Sequence, residues 1–181
     1  MPRFEGIKYF SDNDPALLDN FQAISKVLQW CEGHRQLDVG SGNITLSPET
    51  KRADIAEYPG LDFCCDAASL RDRNGISLPD RSFDFIYSSH CLEHTNDPLV
   101  TLREWCRVAQ KFVAVIIPNG LMFKNVSQEE MNRLGHKHNI YIEDVWNMSQ
   151  QLNDIVLLQE LGYTSVGREN IYFVLVKKIW G

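Results

Sequence analysis

Two hydrophobic patterns alternate along the chain and predict its helices and strands. After Asp14-Pro15, a pair typical of an N-cap and a first helical position, apolar residues recur at helical spacing until Gly33, a residue that favours a helix end. Elsewhere the apolar residues form short unbroken runs, which are typical of strands covered on both faces of a parallel sheet. The predicted strands are residues 36–39, 52–56, 61–65, 83–89 and 111–118.

Helical spacing returns after the fourth predicted strand. Asp97-Pro98 begins a helix between the fourth and fifth strands. Its apolar positions are Leu99, Leu102, Cys106 and Ala109. A helix in this place makes a right-handed crossover between two parallel strands. Residues 127–130 form a capping box that begins another short helix.

The C-terminal segment is predicted to contain a helix and a hairpin. Residues from Ile142 to Leu161 are mostly helical by pattern, with room for a break near Asn153 and an end at Gly162. The segments "YTSVG" and "IYFVLVKK" flank "REN", and two strands joined so tightly must be antiparallel. The pattern therefore predicts an α/β fold with a mainly parallel sheet, an antiparallel C-terminal strand and helices on both faces.

Composition and charge narrow the classes of partner. The chain has 181 residues, 44% hydrophobic and 23% charged, as is ordinary for a soluble single-domain protein, and no apolar run is long enough for a membrane span. The net charge of −6 disfavours a broad nucleic-acid-binding surface. The five cysteines are an odd number without a Cys-x-x-Cys pair, which predicts reduced thiols in a cytoplasmic protein.

The stretch from Leu37 to Ala56 indicates a ligand site. Asp38 stands directly before a Gly-x-Gly turn, and Asp54 and Asp66 lie at or just after the ends of the next two predicted strands. The carboxyl ends of neighbouring parallel strands meet at one sheet edge, where open α/β sheets bind ligands. Three carboxylates at one edge repel each other unless they meet donors, and a ribose diol, an exocyclic amine and an ammonium group are such donors.

A dinucleotide is the alternative ligand for such a turn. Its fingerprint requires a third glycine and a helix N-terminus to hold the pyrophosphate, whereas "GSGNI" has Ile44 in place of the glycine and Pro48 makes a full helix doubtful. A diphosphate would also face the carboxylate of Asp38. A cationic cofactor without phosphate fits better, and S-adenosylmethionine carries a sulfonium, an ammonium, a ribose and an adenine.

Four segments resemble the class I S-adenosylmethionine-dependent methyltransferases, of the small type 11 methyltransferase-domain kind. These segments are "LDVGSG", "ADIAEYPGLDFCCDAASL", "LPDRSFDFIYSSHCLEH" and "DPLVTLREWCRVAQKFVAVIIPN", which follow the order of that family over residues 36–119. The resemblance implies a Rossmann-like doubly wound fold. It also implies one methyltransferase domain over residues 1–181, comprising an N-terminal helical segment (1–35), a cofactor-binding core (36–118), a substrate-covering loop region (119–141) and a C-terminal helix and hairpin (142–181).

The resemblance also implies which residues contact the cofactor. The methionine part would meet the glycine turn, with the ammonium near Asp38, the ribose hydroxyls on Asp54 and the adenine amine on Asp66. The full implied set is Asp38, Gly40, Ser41, Gly42, Asp54, Ile55, Asp66, Ala67, Ser88 and Ser89.

Histidines are the candidates for removing a proton from an alcohol or amine acceptor. His90 and His94 follow the fourth strand directly, and His136 and His138 lie in the loop region after the fifth. Of these, His90, His94 and His138 are the predicted catalytic residues. The histidines match no established ligand spacing, so no metal is predicted.

The sequence thus favours methyl transfer to an oxygen or nitrogen of a small intracellular acceptor. A sugar or glycan precursor is suggested by analogy with the family only. An RNA or protein methyltransferase and a non-catalytic binding scaffold stay as alternatives. The oligomeric state is left open.

Overall fold

A computed structural model of the chain describes residues 8–9, 33–42, 44–45, 47–157, 162–163 and 170–177. The helix predicted after Asp14 lies outside the described residues. The strands are β1 (Lys8–Tyr9), β2 (Gln36–Val39), β3 (Ile44–Thr45), β4 (Lys51–Asp54), β5 (Phe63–Asp66), β6 (Arg71–Asp72), β7 (Phe83–Ser89), β8 (Ala109–Pro118), β9 (Ile155–Leu157), β10 (Gly162–Tyr163) and β11 (Asn170–Lys177). The helices are α1 (Pro98–Val108), α2 (Gln128–Leu134) and α3 (Ile142–Gln150), with 3-10 turns at Leu92–His94 and Gly120–Phe123.

The main sheet has the order β10-β11-β8-β7-β2-β4-β5-β6, and β9 also pairs with β11. Pairing is parallel from β8 through β7, β2 and β4 to β5, and antiparallel at β11, β10, β9 and β6. From β2 the chain first moves outward through β4 and β5 and then returns to β7 on the other side. The strand order therefore reverses beside β2, where a crevice opens at the carboxyl ends of the strands. The predicted α/β sheet is confirmed.

Local sequence explains how the helices begin. Asp97 is the N-cap of α1 and accepts a 3.0 Å hydrogen bond from the backbone N–H of Val100, with proline at the first helical position. Ser127 caps α2 in the same way, and α2 ends at Gly135, whose φ of 75° is left-handed. On α1, Trp105 is fully buried in the core, and its indole N–H donates a 2.8 Å hydrogen bond to the carbonyl of Ala67. This bond ties α1 to the segment after β5.

The helix predicted from Ile142 to about Leu161 breaks near Asn153, as the pattern allowed, but residues 155–157 beyond the break form a strand and not a helix. Residues 158–161 lie outside the described part of the chain. α3 ends at Gln150, and Asp154 takes a left-handed φ of 60° before the chain enters β9. The apolar run of β9 suits a strand as well as a helix, and the free edge of β11 offers it a ladder of backbone hydrogen bonds. The predicted antiparallel pairing at the C-terminal end is confirmed, since Gly162 pairs with Tyr172 and Tyr163 with Ile171. Asn170, predicted in the turn, is the first residue of β11, and the rest of the predicted turn lies outside the described residues.

Some strands and one helix begin or end at other residues than the sequence predicts. The observed β4, β5 and β8 begin or end one or two residues from the predicted bounds, whereas β2 and β7 match them. Ala109, expected on the helix, is the first residue of β8. After the glycine turn the described residues form the short strand β3, which pairs with β1, in agreement with the expectation that no full helix follows. No helix within the described ranges is both long enough and apolar enough to span a membrane.

Candidate active site

A cavity of about 360 Å³ lies where the strand order reverses. Its walls come from the glycine turn, the ends of β4 and β5, and the segment after β7. The lining residues are Gly40, Asp54, Ile55, Asp66, Ala67, Ala68, His90, Cys91, His94, Thr95, Asn96 and Lys137. A second cavity, of about 300 Å³, is lined by Arg81, Arg103 and residues around β9, and it contains none of the predicted site residues.

The glycine turn is shaped by a close approach of Gly40 to Cys91. Gly40 has a φ of +72°, and a Cβ added there would lie 2.6 Å from both Cβ and Sγ of Cys91. Its N–H donates a 2.8 Å hydrogen bond to the carbonyl of Ala53, which holds the turn against β4. Glycine is therefore required at this position for both its backbone angle and its lack of a side chain.

Asp54 connects the end of β4 to the glycine turn. Its Oδ2 accepts a 2.8 Å hydrogen bond from the N–H of Gly42, and its Oδ1 accepts one of 2.9 Å from the N–H of Ala56. Each carboxylate oxygen can accept two hydrogen bonds, so both oxygens retain an acceptor position. The carboxylate is thus fixed in orientation while still able to accept from a ligand hydroxyl.

Asp66 is held in a similar way at the end of β5. Its Oδ1 accepts hydrogen bonds of 2.8 and 3.1 Å from the N–H groups of Ala68 and Ser69. The side chain is exposed to solvent at the rim of the cavity. Backbone donors therefore orient this carboxylate as they orient Asp54.

Asp38 is buried beside an arginine. The two residues are register partners in β2 and β4, and Asp38 is 3% exposed while Arg52 is 2% exposed. Burial, opposed by the lowering effect of Arg52 and assisted by the nearby Asp54, raises the pKa of Asp38 to about 8. Arg52 also donates to the carbonyls of Gly42 and Pro59. The repulsion expected among the three carboxylates is thus relieved partly by this chain's own donors.

Three histidines, His90, His94 and His136, lie close together at the other end of the cavity. His90 and His94 line it, and Nδ1 of His94 lies 2.9 Å from the carbonyl of Gly135. The ring of His136 packs edge-on against His94 at 4.9 Å between centroids. His138 is not a lining residue, and its Nε2 lies 3.2 Å from the carbonyl oxygen of Asn96.

Burial shifts the pKa values of two residues in this cluster, His90 and Glu93. Desolvation, together with the neighbouring His136 and His94, lowers the pKa of His90 to about 4. Burial raises the pKa of Glu93 to about 7. Oε1 of Glu93 lies 3.7 Å from Nδ1 of His90 and 3.7 Å from Nε2 of His94. Burial thus favours the uncharged forms of Glu93 and His90.

The same fold occurs in solved methyltransferases. The chain is similar to an S-adenosylmethionine-dependent methyltransferase from Aquifex aeolicus, with a TM-score of 0.61 and 19% identity over 91% of this chain and 94% of that one. It is also similar to magnesium protoporphyrin IX methyltransferase from Synechocystis PCC 6803, solved with bound S-adenosylmethionine, with a TM-score of 0.60 and 14% identity over 93% of this chain and 87% of that one. At these identities the likeness establishes the fold.

The sequence itself matches a family described as "Methyltransferase domain" over residues 8–150. The chain belongs to this methyltransferase family. It is 31% identical over 85 residues to ajmaline N-methyltransferase from Rauvolfia serpentina, a match that covers 46% of this chain and only 29% of that enzyme. The class I fold, the methyltransferase family and S-adenosylmethionine as the cofactor of that family, all expected from the sequence, are confirmed.

Within this methyltransferase domain, the cavity brings together half of the residues predicted to contact the cofactor. Gly40, Asp54, Ile55, Asp66 and Ala67 line it, whereas the other five are not among its lining residues. Those others are Asp38, Ser41, Gly42, Ser88 and Ser89. The hydroxyl of Ser88 is fully buried and donates a 2.8 Å hydrogen bond to the carbonyl of Val39, so this group joins β7 to β2.

Sequence reasoning missed three residues of the candidate site. Arg52 carries the buried cation beside Asp38, Cys91 packs against the glycine turn, and Glu93 is a buried carboxylate among histidines. A signal for Glu93 was present in "SSHCLEH", where an acidic residue stands between two histidines. Nothing local distinguished Arg52 from the other charged residues of "ETKRAD".

Proposed function

We propose that this chain binds S-adenosylmethionine in the cavity and transfers its methyl group to an oxygen or nitrogen of a small acceptor beside His90. The observation that supports this most is the composition of one continuous wall. It joins a tight glycine turn, two oriented carboxylates at neighbouring strand ends and a histidine cluster.

The residues of the wall fit the parts of this cofactor. Asp54 and Asp66 would accept hydrogen bonds from the ribose hydroxyls and the adenine amine. Ile55 lines the cavity but is 69% exposed, an apolar surface that the face of an adenine would cover. Asp38, Ser41 and Gly42 would support the methionine end, and the ammonium of a bound cofactor would favour the ionised form of Asp38 and pair with it.

When bound, S-adenosylmethionine supplies a methyl group activated by the sulfonium. The protein must then align the acceptor with that methyl, and alignment of this kind can contribute about 7–11 kcal/mol. His90 lines the cavity and would accept the proton that an alcohol or amine acceptor loses. His94 is tied to Gly135 and would orient the segment. His138 would hold that segment through Asn96.

The acceptor is proposed to be small and polar. Asn96, Lys137 and the histidines offer hydrogen-bonding groups at the end of the cavity away from Asp66. The ajmaline enzyme is an N-methyltransferase by name, which supports nitrogen as an acceptor atom, while a sugar or glycan hydroxyl is the oxygen candidate. The four described cysteines are free thiols, which supports the reducing cytoplasm as the compartment.

Calorimetry tests the cofactor part of this proposal. S-adenosylmethionine and S-adenosylhomocysteine should bind with one site per chain, and NAD should not bind. Turnover is then measured as S-adenosylhomocysteine released across a panel of sugar, amine and phenol acceptors. Binding of NAD alone would contradict the proposal. Cofactor binding without turnover on any acceptor would instead favour a binding scaffold.

A further inference from the structure

The carboxylate of Glu93 is buried without a hydrogen-bond partner from another residue. Its side chain is 2% exposed, and within the described part of the chain only the backbone N–H of Glu93 itself acts on the carboxylate. Buried carboxylates are normally hydrogen-bonded, paired or metal-bound, because an isolated one loses its hydration without compensation. When ionised, Glu93 therefore lacks a close partner, since the imidazole nitrogens Nδ1 of His90 and Nε2 of His94 both lie 3.7 Å from Oε1.

The imidazole of His94 lies between the carbonyl of Gly135 and the carboxylate of Glu93, with Nε2 on the side of Glu93. Nδ1 of His94 lies 2.9 Å from the carbonyl of Gly135, and a carbonyl can only accept, so Nδ1 carries the hydrogen. In the neutral imidazole Nε2 then presents a lone pair, and it lies 3.7 Å from Oε1 of Glu93. Two acceptors facing each other at this distance are stabilised by a cation or a proton between them. A backbone carbonyl on the far nitrogen is also the usual outer contact of a metal-binding histidine.

His136 completes a set of three ligand atoms. One ligand atom each from Glu93, His94 and His136 lie within 4.8 Å of one another. The loop that carries His136 is held against the segment of Glu93, because the N–H groups of Lys137 and His138 donate hydrogen bonds of 2.9 and 3.2 Å to the backbone carbonyl of Glu93. Ligand atoms about 2.1 Å from one ion lie roughly 3–3.5 Å apart, so closure needs a shift of about 1 Å.

We infer that Glu93, His94 and His136 form a binding site for one divalent first-row transition metal ion, with Zn²⁺ or Fe²⁺ as the matching class. Two imidazoles and one carboxylate suit these ions, whereas Mg²⁺ and Ca²⁺ prefer sets made of oxygen. Three protein ligands leave a coordination position open, as in catalytic rather than structural sites. Sequence spacing did not predict this site, because His136 is distant in the chain from Glu93 and His94 and only the fold brings the three together.

The open position gives the ion a role that rests on the proposed function. His94 lines the cavity, so the ion would face the same space as the acceptor. A bound metal lowers the pKa of an oxygen that it coordinates, which would favour a hydroxyl-bearing acceptor. The site therefore points to oxygen as the methylated atom.

Metal binding is tested on the full chain after chelator treatment and dialysis. Calorimetry with Zn²⁺ and visible absorption with Co²⁺ should each give one site per chain. Glu93→Gln and His136→Gln should each weaken binding at least 10-fold. His34→Gln is the matched control, because His34 lies outside the cluster beside Asp84 and Lys111 and should leave the affinity unchanged.

Binding of S-adenosylhomocysteine is measured on the same metal-free samples. This separates the two proposals, since cofactor binding without metal binding overturns the metal site and leaves the proposed function intact. Equal Zn²⁺ affinity in the wild type and both cluster variants also overturns it. If Glu93→Gln fails to fold, His136→Gln decides, because His136 is only half-buried. Absence of Co²⁺ binding together with a stabilised Glu93→Gln would assign the Glu93–His94 contact to a shared proton.

Discussion

The N–H of Gly42 donates a 2.8 Å hydrogen bond to Oδ2 of Asp54. The carboxylate proposed to hold the ribose of the cofactor is therefore the same group that fixes the glycine turn beside the methionine end. The two halves of the proposed site are coupled through this one side chain. A change at Asp54 should consequently affect both the ligand and the turn.

Asp54→Ala should weaken binding of S-adenosylhomocysteine by 10-fold or more, since a hydrogen bond to a charged group contributes about 1.5–3 kcal/mol. It should also lower the free energy of unfolding by about 1–3 kcal/mol, because the N–H groups of Gly42 and Ala56 lose their acceptor. Calorimetry and urea denaturation measure the two effects.

Asp62→Ala is the matched control for Asp54→Ala. Asp62 also bonds to β4, accepting from Nζ of Lys51 at 2.7 Å and from the N–H of Arg52 at 2.9 Å, but it does not line the cavity. This variant should lose stability and keep its affinity for the cofactor. Equal loss of affinity in both variants would assign the Asp54 effect to general loosening of β4.

Gly40→Ala should destabilise the protein more than Gly42→Ala. Both glycines have positive φ, +72° and +55°, so both substitutions carry a left-handed backbone cost of about 1–2 kcal/mol. Only at Gly40 does the new methyl collide, at 2.6 Å from Cys91, whereas no described atom lies within 4 Å at Gly42. Urea denaturation of the two variants measures the difference. Equal losses would mean that Cys91 moves aside freely.

The stability of the ligand-free protein should carry a pH dependence from Asp38. Its pKa is about 8 when folded against an ordinary 3.8, so between these values the folded chain holds a proton that the unfolded chain has released. The contribution of Asp38 to stability is therefore present at low pH and is lost as pH rises toward about 8, with a slope of at most about 1.4 kcal/mol per pH unit.

Asp38→Asn removes this contribution. The difference in unfolding free energy between the wild type and Asp38→Asn should change in favour of the variant as pH rises from 5 to 8, as measured by urea denaturation at each pH. Taking the difference between the two proteins cancels the pH-dependent contributions of the other titrating groups, including those of Glu93 and His90. A difference that does not vary with pH would show that Asp38 is ionised in the folded protein throughout.

His90→Gln should reduce methyl transfer to a hydroxyl or amine acceptor by about 10²-fold or more, the usual contribution of a positioned base. Its affinity for S-adenosylhomocysteine should stay within about 3-fold of the wild type. His34→Gln, outside the cavity, should match the wild type in both assays. Full turnover in His90→Gln would transfer the role to another group or to water.

Much of the fold was determined by local sequence. The bounds of β2 and β7 were predicted correctly because unbroken apolar runs flanked by turn residues have few other solutions. Asp97 and Ser127 began the predicted helices because an N-cap acts within one turn. The strand at residues 155–157 was not predicted, because its apolar run suits a helix or a strand equally well. Pairing with the edge of β11 determined that it forms a strand.

The sequence by itself also determined that the ends of β2, β4 and β5 carry acids beside a glycine turn, because strand order and direction bring those ends to one edge. Only the tertiary structure decided what each acid meets. Arg52 lies beside Asp38 through the register of β2 and β4, and Glu93 meets His136 through the fold of the loop after α2. Burial and charge partners depend on segments distant in the chain, and no local pattern encodes them.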